Sequence, residues 1–405
     1  MFDDCAISEA VRCFGTPLWL YDFEIIKKRV AELCSFDVVR YAQKACPNLS
    51  LLSKMRSLGV EVDAVSAGEI VRALKAGFSP NQIRYTADIF DNNSLALVKE
   101  HSIPVNIGSA DMLLQLANAG VKVPLAIRVN PGFGHGHSSK VNTGGDLSKH
   151  GIWHSQLPEI AKLAKEKGFA LECLHIHIGS GTDFEHLSQV ANSMEKAIEA
   201  AGSSVKIISA GGGLPIDYKG SSSFDTSAYY NIWNATRKKL ETELGHSITL
   251  EVEPGRYLVA ESCVLVAEIR AVKKQGENLF YLVDSGFTDL VRPAFYGAYH
   301  HISILSATTK KLANTPLVDA IVAGPLCESG DVFTQEEGGF VVSRKLPLAS
   351  VGDLLLLHNA GAYGSAMSSN YNSRLLAPEI LSENGELKII RKRQTYEQLL
   401  ENEIF

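Results

Sequence analysis

No run in the 405-residue sequence approaches the roughly 18 apolar residues that a membrane span needs. The opening residues, Met1 to Ala10, are acidic and lack the basic-then-apolar order of a secretory signal. Seven cysteines are scattered with no CxxC pair and no even framework, so neither a disulfide scaffold nor a zinc ribbon is expected and reduced thiols are. Positive charge is not in surplus: 39 Lys and Arg face 45 Asp and Glu, a net charge of -6. Such a field mildly repels nucleic acid and anionic membranes, so an anionic ligand must be held by a local site. No Pro-, Gly- or Ser-rich linker and no low-complexity tract separates parts of the chain, which implies domains packed directly on each other. These absences together predict a cytoplasmic globular protein.

The length suggests two domains, and 45% apolar with 21% charged residues is a globular balance. From near Phe36 short apolar runs alternate with helical periods. The strand candidates are Val38 to Ala42, Val62 to Val65, Ile83 to Thr86, Pro104 to Ile107, Leu125 to Val129, Leu171 to Ile178, Lys206 to Ser209 and Thr249 to Val252. Helical stretches between them include Pro47 to Leu58, Ala67 to Ala76, Leu157 to Lys167, Phe184 to Ala201 and Ala228 to Leu244. Strands alternating with helices imply a parallel sheet, and eight units over roughly 250 residues are the size of a closed (β/α)8 TIM-type barrel. A doubly wound open sheet is the rival. After Arg256 the pattern changes to short strand-like runs: Cys263 to Val272, Leu279 to Asp284, Val318 to Ala323, Phe340 to Arg344, Asp353 to His358 and Leu387 to Arg391. The division expected is a barrel over residues 21–261, with 1–20 and 262–405 forming a mostly β second domain. The segment up to Leu20 could instead add a strand to the first barrel unit.

Active sites of such barrels lie at the C-terminal ends of the strands. Lys44 follows the first strand and Ser66 the second, and Arg128 ends the fifth. His175 and His177 end the sixth, Gly211 to Gly213 follow the seventh, and Glu253, Gly255 and Arg256 follow the eighth. An open sheet leaves most of this clustering without a reason. Each residue alone has a plain reading as well. Lys44 after an apolar strand is expected to be buried, with a lowered pKa and an amine free to form an imine with an aldehyde cofactor, or else to snorkel to the surface. The triple glycine either lets backbone N–H groups approach a phosphate, with the helix beyond adding a positive pole, or is only a tight turn. The histidines stack on a flat ring or are hydrogen-bonded core residues. Glu253 and Arg256 carry chemistry or form an ordinary ion pair. His135 with His137, and His175 with His177, invite a metal, but no third ligand at suitable spacing accompanies them and no metal is expected. The Gly-rich loop Pro131 to Gly145 is a surface crossing or a lid. In the second domain GPLCESGD (Gly324 to Asp331) and GAYGSAMSSNYNSR (Gly361 to Arg374) stand out; for Cys327 the plain reading is a small buried hydrophobe.

RYAQKA (Arg40 to Ala45), SAGE (Ser66 to Glu69), the stretch Arg128 to Ile152, HIHIGSG, SAGGGL, EVEPGR, the stretch Asp284 to Ile302 and the two second-domain motifs together resemble one family over almost the whole chain. It is the diaminopimelate decarboxylases, in the alanine-racemase-like barrel group of pyridoxal-phosphate enzymes, with the enterobacterial type most similar. The sequence departs from the commoner pattern at Gln43 and Cys46, where Leu and Asn are usual, and in its longer GHGH loop.

The resemblance implies roles. Lys44 would form the imine with pyridoxal 5'-phosphate and His177 would stack on its ring. Ser180, Gly212, Gly213, Arg256 and Tyr363 would line the phosphate, within a cofactor set that also includes Pro254 and Gly255. Glu253 would face the pyridine nitrogen. Arg256, Arg292, Tyr296 and Tyr363 would hold substrate, and Glu328 would take its distal amino group. Cys327 would donate a proton across the interface of a homodimer with shared sites. A carboxylate keeps the pyridine nitrogen protonated and the ring a strong electron sink, which favours decarboxylation over racemisation. The expected reaction converts meso-diaminopimelate to L-lysine and carbon dioxide, the last step of lysine biosynthesis. A polyamine-precursor decarboxylase (for carboxynorspermidine, ornithine or arginine) and a non-catalytic relative are the alternatives.

Overall fold

The computed structural model describes residues 4–134, 142–180, 183–202, 204–220, 223–307, 312 and 315–405. They form two compact units: Lys27–Ile216 with Ser223–Leu258, and Met1–Ile26 with Asp217–Ser222 and Val259–Phe405. A helix (Asp4–Phe14) and strand β1 (Leu18–Asp22) open the chain in the second of these.

The first unit is the barrel. Its strands are β2 (Val38–Ala42), β3 (Glu61–Ala64), β4 (Ile83–Ala87), β5 (Val105–Ile107), β6 (Leu125–Asn130), a short β7 (Ile152–Trp153), β8 (Leu171–Ile176), β9 (Ile207–Ser209) and β10 (Thr249–Val252). All pairings are parallel. Pairing of β5 with β6 closes a ring of eight strands, with β7 appended to β6. The closed ring excludes the open-sheet rival. Most of the described helices that cover it start where side chains cap them. In SAGE, for example, Ser66 Oγ accepts from the Glu69 N–H while Glu69 Oε2 accepts from the Val65 N–H. SAGE thus caps its helix through Ser66, and Glu69 reaches back to Val65.

Alternate residues of a strand point to one face. In this barrel that inward face carries charge below the mouth. Glu251, 2% exposed, accepts from Arg40 Nη2 at 3.0 Å and from both terminal nitrogens of Arg84. Arg40 also reaches Glu61 at 2.6 Å. Burial works against ionisation of Glu251, but the two guanidiniums overcome it and hold the carboxyl below its usual range.

The second unit is built on β1, β11 (Cys263–Gln275), β12 (Asn278–Val283), β13 (Ile302–Leu305), β14 (Leu317–Ala323), β15 (Arg344–Pro347), β16 (Leu354–Leu357), β17 (Glu379–Glu383) and β18 (Glu386–Arg391). The order is β15-β14-β12-β11-β1-β17-β18, with β16 and β13 branching from the long β11. Leu18 and Leu20, Val264 and Val266, and Leu354 and Leu356 alternate toward one face. There they pack with Ile7 and Ala10 of the first helix.

The opening segment adds its strand to this sheet, beside β11 and β17. One sequence expectation needs correction. The run Phe340 to Arg344 is not the strand: Phe340 and Val341 are exposed, and the strand is β15, whose Leu346 pairs with Val318 and is buried.

Candidate active site

The C-terminal ends of β2, β8, β9 and β10 bring the barrel's candidate residues together. Lys44 stands on a single 3-10 turn, Gln43–Ala45, directly after β2. The turn is pinned from below. The Gln43 amide donates to the carbonyls of Asp63 at 3.1 Å and Glu69 at 3.2 Å, and the Tyr41 hydroxyl donates to the Cys46 carbonyl at 3.1 Å. The two flanking departures from the commoner family pattern therefore lie within the support of the turn. The Ala42 N–H donates to the Pro254 carbonyl at 3.1 Å, and a Cβ on Gly255 would touch Ala42 and Ala45. EPGR is thus fitted against the lysine turn. Lys44 itself is exposed, which overturns the expectation of a lysine buried behind an apolar strand. Its ammonium acts electrostatically on Asp63, Glu69 and His177. Exposure at the mouth is what an amine needs to meet an aldehyde.

Glu253, 6% exposed, follows β10 by one residue. Its Oε1 accepts from Ser209 Oγ at 3.0 Å, and its Oε2 lies 2.8 Å from Nε2 of His175, which is 1% exposed. Burial opposes ionisation of Glu253. The neighbouring His175, with Arg84 and Arg40 beyond it, outweighs burial and holds the carboxyl well below the usual range. The nearby Asp63 goes the other way. Burial and the charge of Glu253 push it up to about 8. Of these two carboxyls, Asp63 keeps a proton and Glu253 is ionised.

His177 is not in the strand, which ends at Ile176. Burial, then the charges of Arg128 and Lys44, hold its pKa well below the ordinary histidine value. A neutral, flat imidazole results, half-buried and with no hydrogen-bond partner on Nδ1 among the described residues. The carbonyls of His177 and Ile178 accept from Thr143, so the return limb of the Gly-rich loop runs beside this histidine. His135 and His137, named for a metal, lie outside the described residues, as does Gly181. His175 and His177 do not act as a pair: their ring centroids are 6.5 Å apart, and only His175 meets a carboxylate, at Glu253.

The glycine turn after β9 is tightly wedged. Gly211 has φ +62°, and a Cβ there would fall 2.3 Å from the Ile176 carbonyl. A Cβ on Gly212 would fall 2.6 Å from the Glu253 carbonyl. The expected helix pole is absent, however, since the next helix begins at Thr226. Any anion there is held by the turn and by side chains. Arg256, 5% exposed, donates through Nη2 to Ser180 Oγ at 3.0 Å. Together the cradle, the buried guanidinium, the flat neutral imidazole and the ionised Glu253 fit a phosphorylated pyridine aldehyde at Lys44.

The other candidates belong to the β-rich unit. Arg292, 2% exposed, places Nη1 2.8 Å from His300 Nε2 and its guanidinium over the Tyr218 ring at 4.8 Å. Tyr296 is half-buried and meets Phe295 edge-on. Cys327 is exposed, against the reading of a buried hydrophobe. Its N–H donates to Asn372 Oδ1 at 3.0 Å, and Glu328 Oε1 accepts from the Tyr371 hydroxyl at 2.8 Å. Tyr363 has φ +57°, an uncommon conformation for a non-glycine residue and one that clusters at functional sites. It sits in a turn so close that a Cβ on Gly361 would fall 1.9 Å from the Val259 carbonyl. Sequence reasoning assigned no role to Asp63, Ser209 or the His175–Glu253 contact. The only signal was that His175 and Glu253 fall at the ends of strands that share β9 as their neighbour.

The family of pyridoxal-dependent decarboxylases, through its pyridoxal binding domain, matches residues 24–260. The diaminopimelate decarboxylase of Escherichia coli is 52% identical over 396 residues, covering 96% of this chain and 94% of the relative. A crystal structure of diaminopimelate decarboxylase superposes with a TM-score of 0.95 at 52% identity, over 98% of this chain and 95% of that one. The Helicobacter pylori enzyme, crystallised with L-lysine, superposes with a TM-score of 0.86 at 30% identity, over 98% of both chains.

Proposed function

This chain belongs to the diaminopimelate decarboxylases, pyridoxal-dependent carboxy-lyases of lysine biosynthesis, and we propose how its own residues divide the work of turning meso-diaminopimelate into L-lysine and carbon dioxide. The observation that carries the division is a buried, ionised Glu253 at the same barrel mouth as an exposed lysine, Lys44. When bound, pyridoxal phosphate supplies an electron sink for the pair left behind as carbon dioxide departs. Glu253 keeps the ring nitrogen protonated. His177 offers a neutral face to the ring. Ser180, Gly212, Gly213, Arg256 and Tyr363 would hold the phosphate, and Pro254 and Gly255 would keep the strand end against the lysine turn. Lys44 would hold the cofactor covalently through its amine.

Cys327 delivers the proton that takes the place of the departing carboxylate on the α-carbon, and its exposed thiol suits that task. Arg256, Arg292, Tyr296 and Tyr363 orient the substrate, with Glu328 on the distal ammonium. A guanidinium such as that of Arg292 suits the distal carboxylate through a two-pronged contact. Substrates without that carboxylate would forgo this contact and bind less well. The resemblance further supports a cytoplasmic homodimer in which Cys327 of one subunit serves Lys44 of the other. The test is release of carbon dioxide by the purified holoenzyme from diaminopimelate, ornithine, arginine and carboxynorspermidine in parallel. Diaminopimelate is expected to exceed the others by at least about a hundredfold, as a site left with unpaired polar groups rejects an analogue. A better rate on ornithine or arginine would remove the roles given to Glu328 and Arg292.

A further inference from the structure

We infer that His175 is a positioning residue for this reaction: from the inward face of β8 it fixes the Glu253 carboxylate in the orientation and charge that the cofactor's ring nitrogen requires. The inference rests on the reading of Glu253 given above and extends it one residue deeper. The two oxygens of Glu253 are held from two different strands. Ser209 on β9 donates to Oε1 at 3.0 Å, and His175 on β8 stands 2.8 Å from Oε2. A hydrogen bond on one oxygen and a close charge contact on the other limit how far the carboxylate can swing from the mouth. His175 and Glu253 are both buried, so their interaction is poorly screened by solvent.

The surroundings explain why a side-chain N–H is needed there. Asp63 on β3 is the rival carboxyl, close enough for its charge and that of Glu253 to oppose each other. Lys44 after β2, Arg40 on β2, Arg84 on β4, and Arg128 on β6 supply positive charge around the pair, Glu69 and Glu251 add negative charge, and Cys173 and His177 are further titratable groups nearby. The arginines Arg40 and Arg84 are already committed to Glu251. Among the described residues, His175 is thus the basic side chain that stands against Glu253 and is not engaged with another carboxylate. Without it, the proton held by Asp63 is free to move to Glu253. A neutral Glu253 no longer keeps the ring nitrogen protonated, and the electron sink weakens.

The test uses holoenzyme reconstituted with pyridoxal phosphate labelled with 15N in the ring, whose nitrogen chemical shift reports its protonation. His175→Leu is expected to lower the pH at which the ring nitrogen loses its proton by about one unit, with a roughly tenfold fall in kcat and KM unchanged. His175→Gln, whose side-chain N–H occupies nearly the same place, is expected to retain most of both. If leucine leaves the chain unfolded, His175→Asn, too short to reach Oε2, takes its place in the comparison. Glu253→Gln is the reference. Should it shift the nitrogen titration while the His175 variants do not, the role of His175 is overturned and that of Glu253 stands. Should neither shift it, both are overturned.

Discussion

A thiol that donates a proton must be reachable, and Cys327 is exposed while the backbone beneath it is tied to Asn372. That combination of a free tip and a fixed base gives the sharpest residue-level expectation. Cys327→Ala should bind cofactor with an unchanged visible absorbance and lose about a hundredfold or more in turnover, the scale of a positioned acid. Unaltered turnover would remove it as proton donor. Lys44→Ala should behave in the opposite sense: the absorbance of the lysine-bound cofactor disappears, and dialysis removes the cofactor. Retention of that absorbance would assign the attachment to another amine. At this scale the sequence was legible for residue type but not for environment. Lys44 was expected to be buried and is exposed, because the turn Gln43–Ala45 lifts it out of the line of β2.

At the scale of elements, the site depends on turns with no room for a side chain. Gly212→Ala would place a Cβ 2.6 Å from the Glu253 carbonyl, on backbone that cannot yield without moving the end of β10. We expect weaker cofactor binding, seen as a higher concentration of pyridoxal phosphate for half-saturation, together with a lower melting temperature. Equal affinity in the variant would show that the turn does not contribute to the cradle. The strands themselves were readable, because parallel strands buried on both faces appear as short apolar runs between helical periods. Val38–Ala42 and Thr249–Val252 match their expected limits residue for residue. The errors came where local apolarity and partner choice disagree. Phe340 and Val341 are apolar yet exposed, while Arg344–Pro347 is polar at its start and still becomes a strand, because β14 is there to receive it.

At the scale of the whole molecule, stability is coupled to ionisation inside the barrel. Asp63 holds a proton in the folded protein up to about pH 8 but only to about pH 4 when unfolded. The folded state therefore binds more protons between those values. The stability from this group is complete below about pH 4 and is lost as pH rises through about 8. Asp63→Asn should remove that slope, so the urea midpoint of the variant should fall less between pH 5 and pH 8 than that of the wild type. The deeper network is less forgiving. Arg84→Met leaves Glu251 short of one cation and should cost about 3–5 kcal/mol, read as a reduced urea midpoint. The proposed shared sites make a different prediction. Lys44→Ala and Cys327→Ala subunits, each inactive alone, should recover about a quarter of wild-type activity after mixing at equal concentrations. Half of the dimers are then mixed, and one of the two sites in each is intact. No recovery would place Lys44 and Cys327 of one site on the same subunit.

The sequence by itself determined the alternation of strand and helix, the change to β structure after Arg256, and the gathering of Lys44, His177, Gly211 to Gly213 and Glu253 at strand ends. These follow from periodicity and from the rule that barrel chemistry sits at one end, so neighbours along the chain suffice to read them. Only the tertiary structure decided which carboxyl carries charge. Glu253 and Asp63 are both acidic residues near strand ends. What separates them is that β8 and β9 place His175 and Ser209 on Glu253, while Asp63 is buried against the charge of Glu253. Charge in a buried site is set by neighbours across the sheet, and the pairing register that supplies them is not written in the residues on either side.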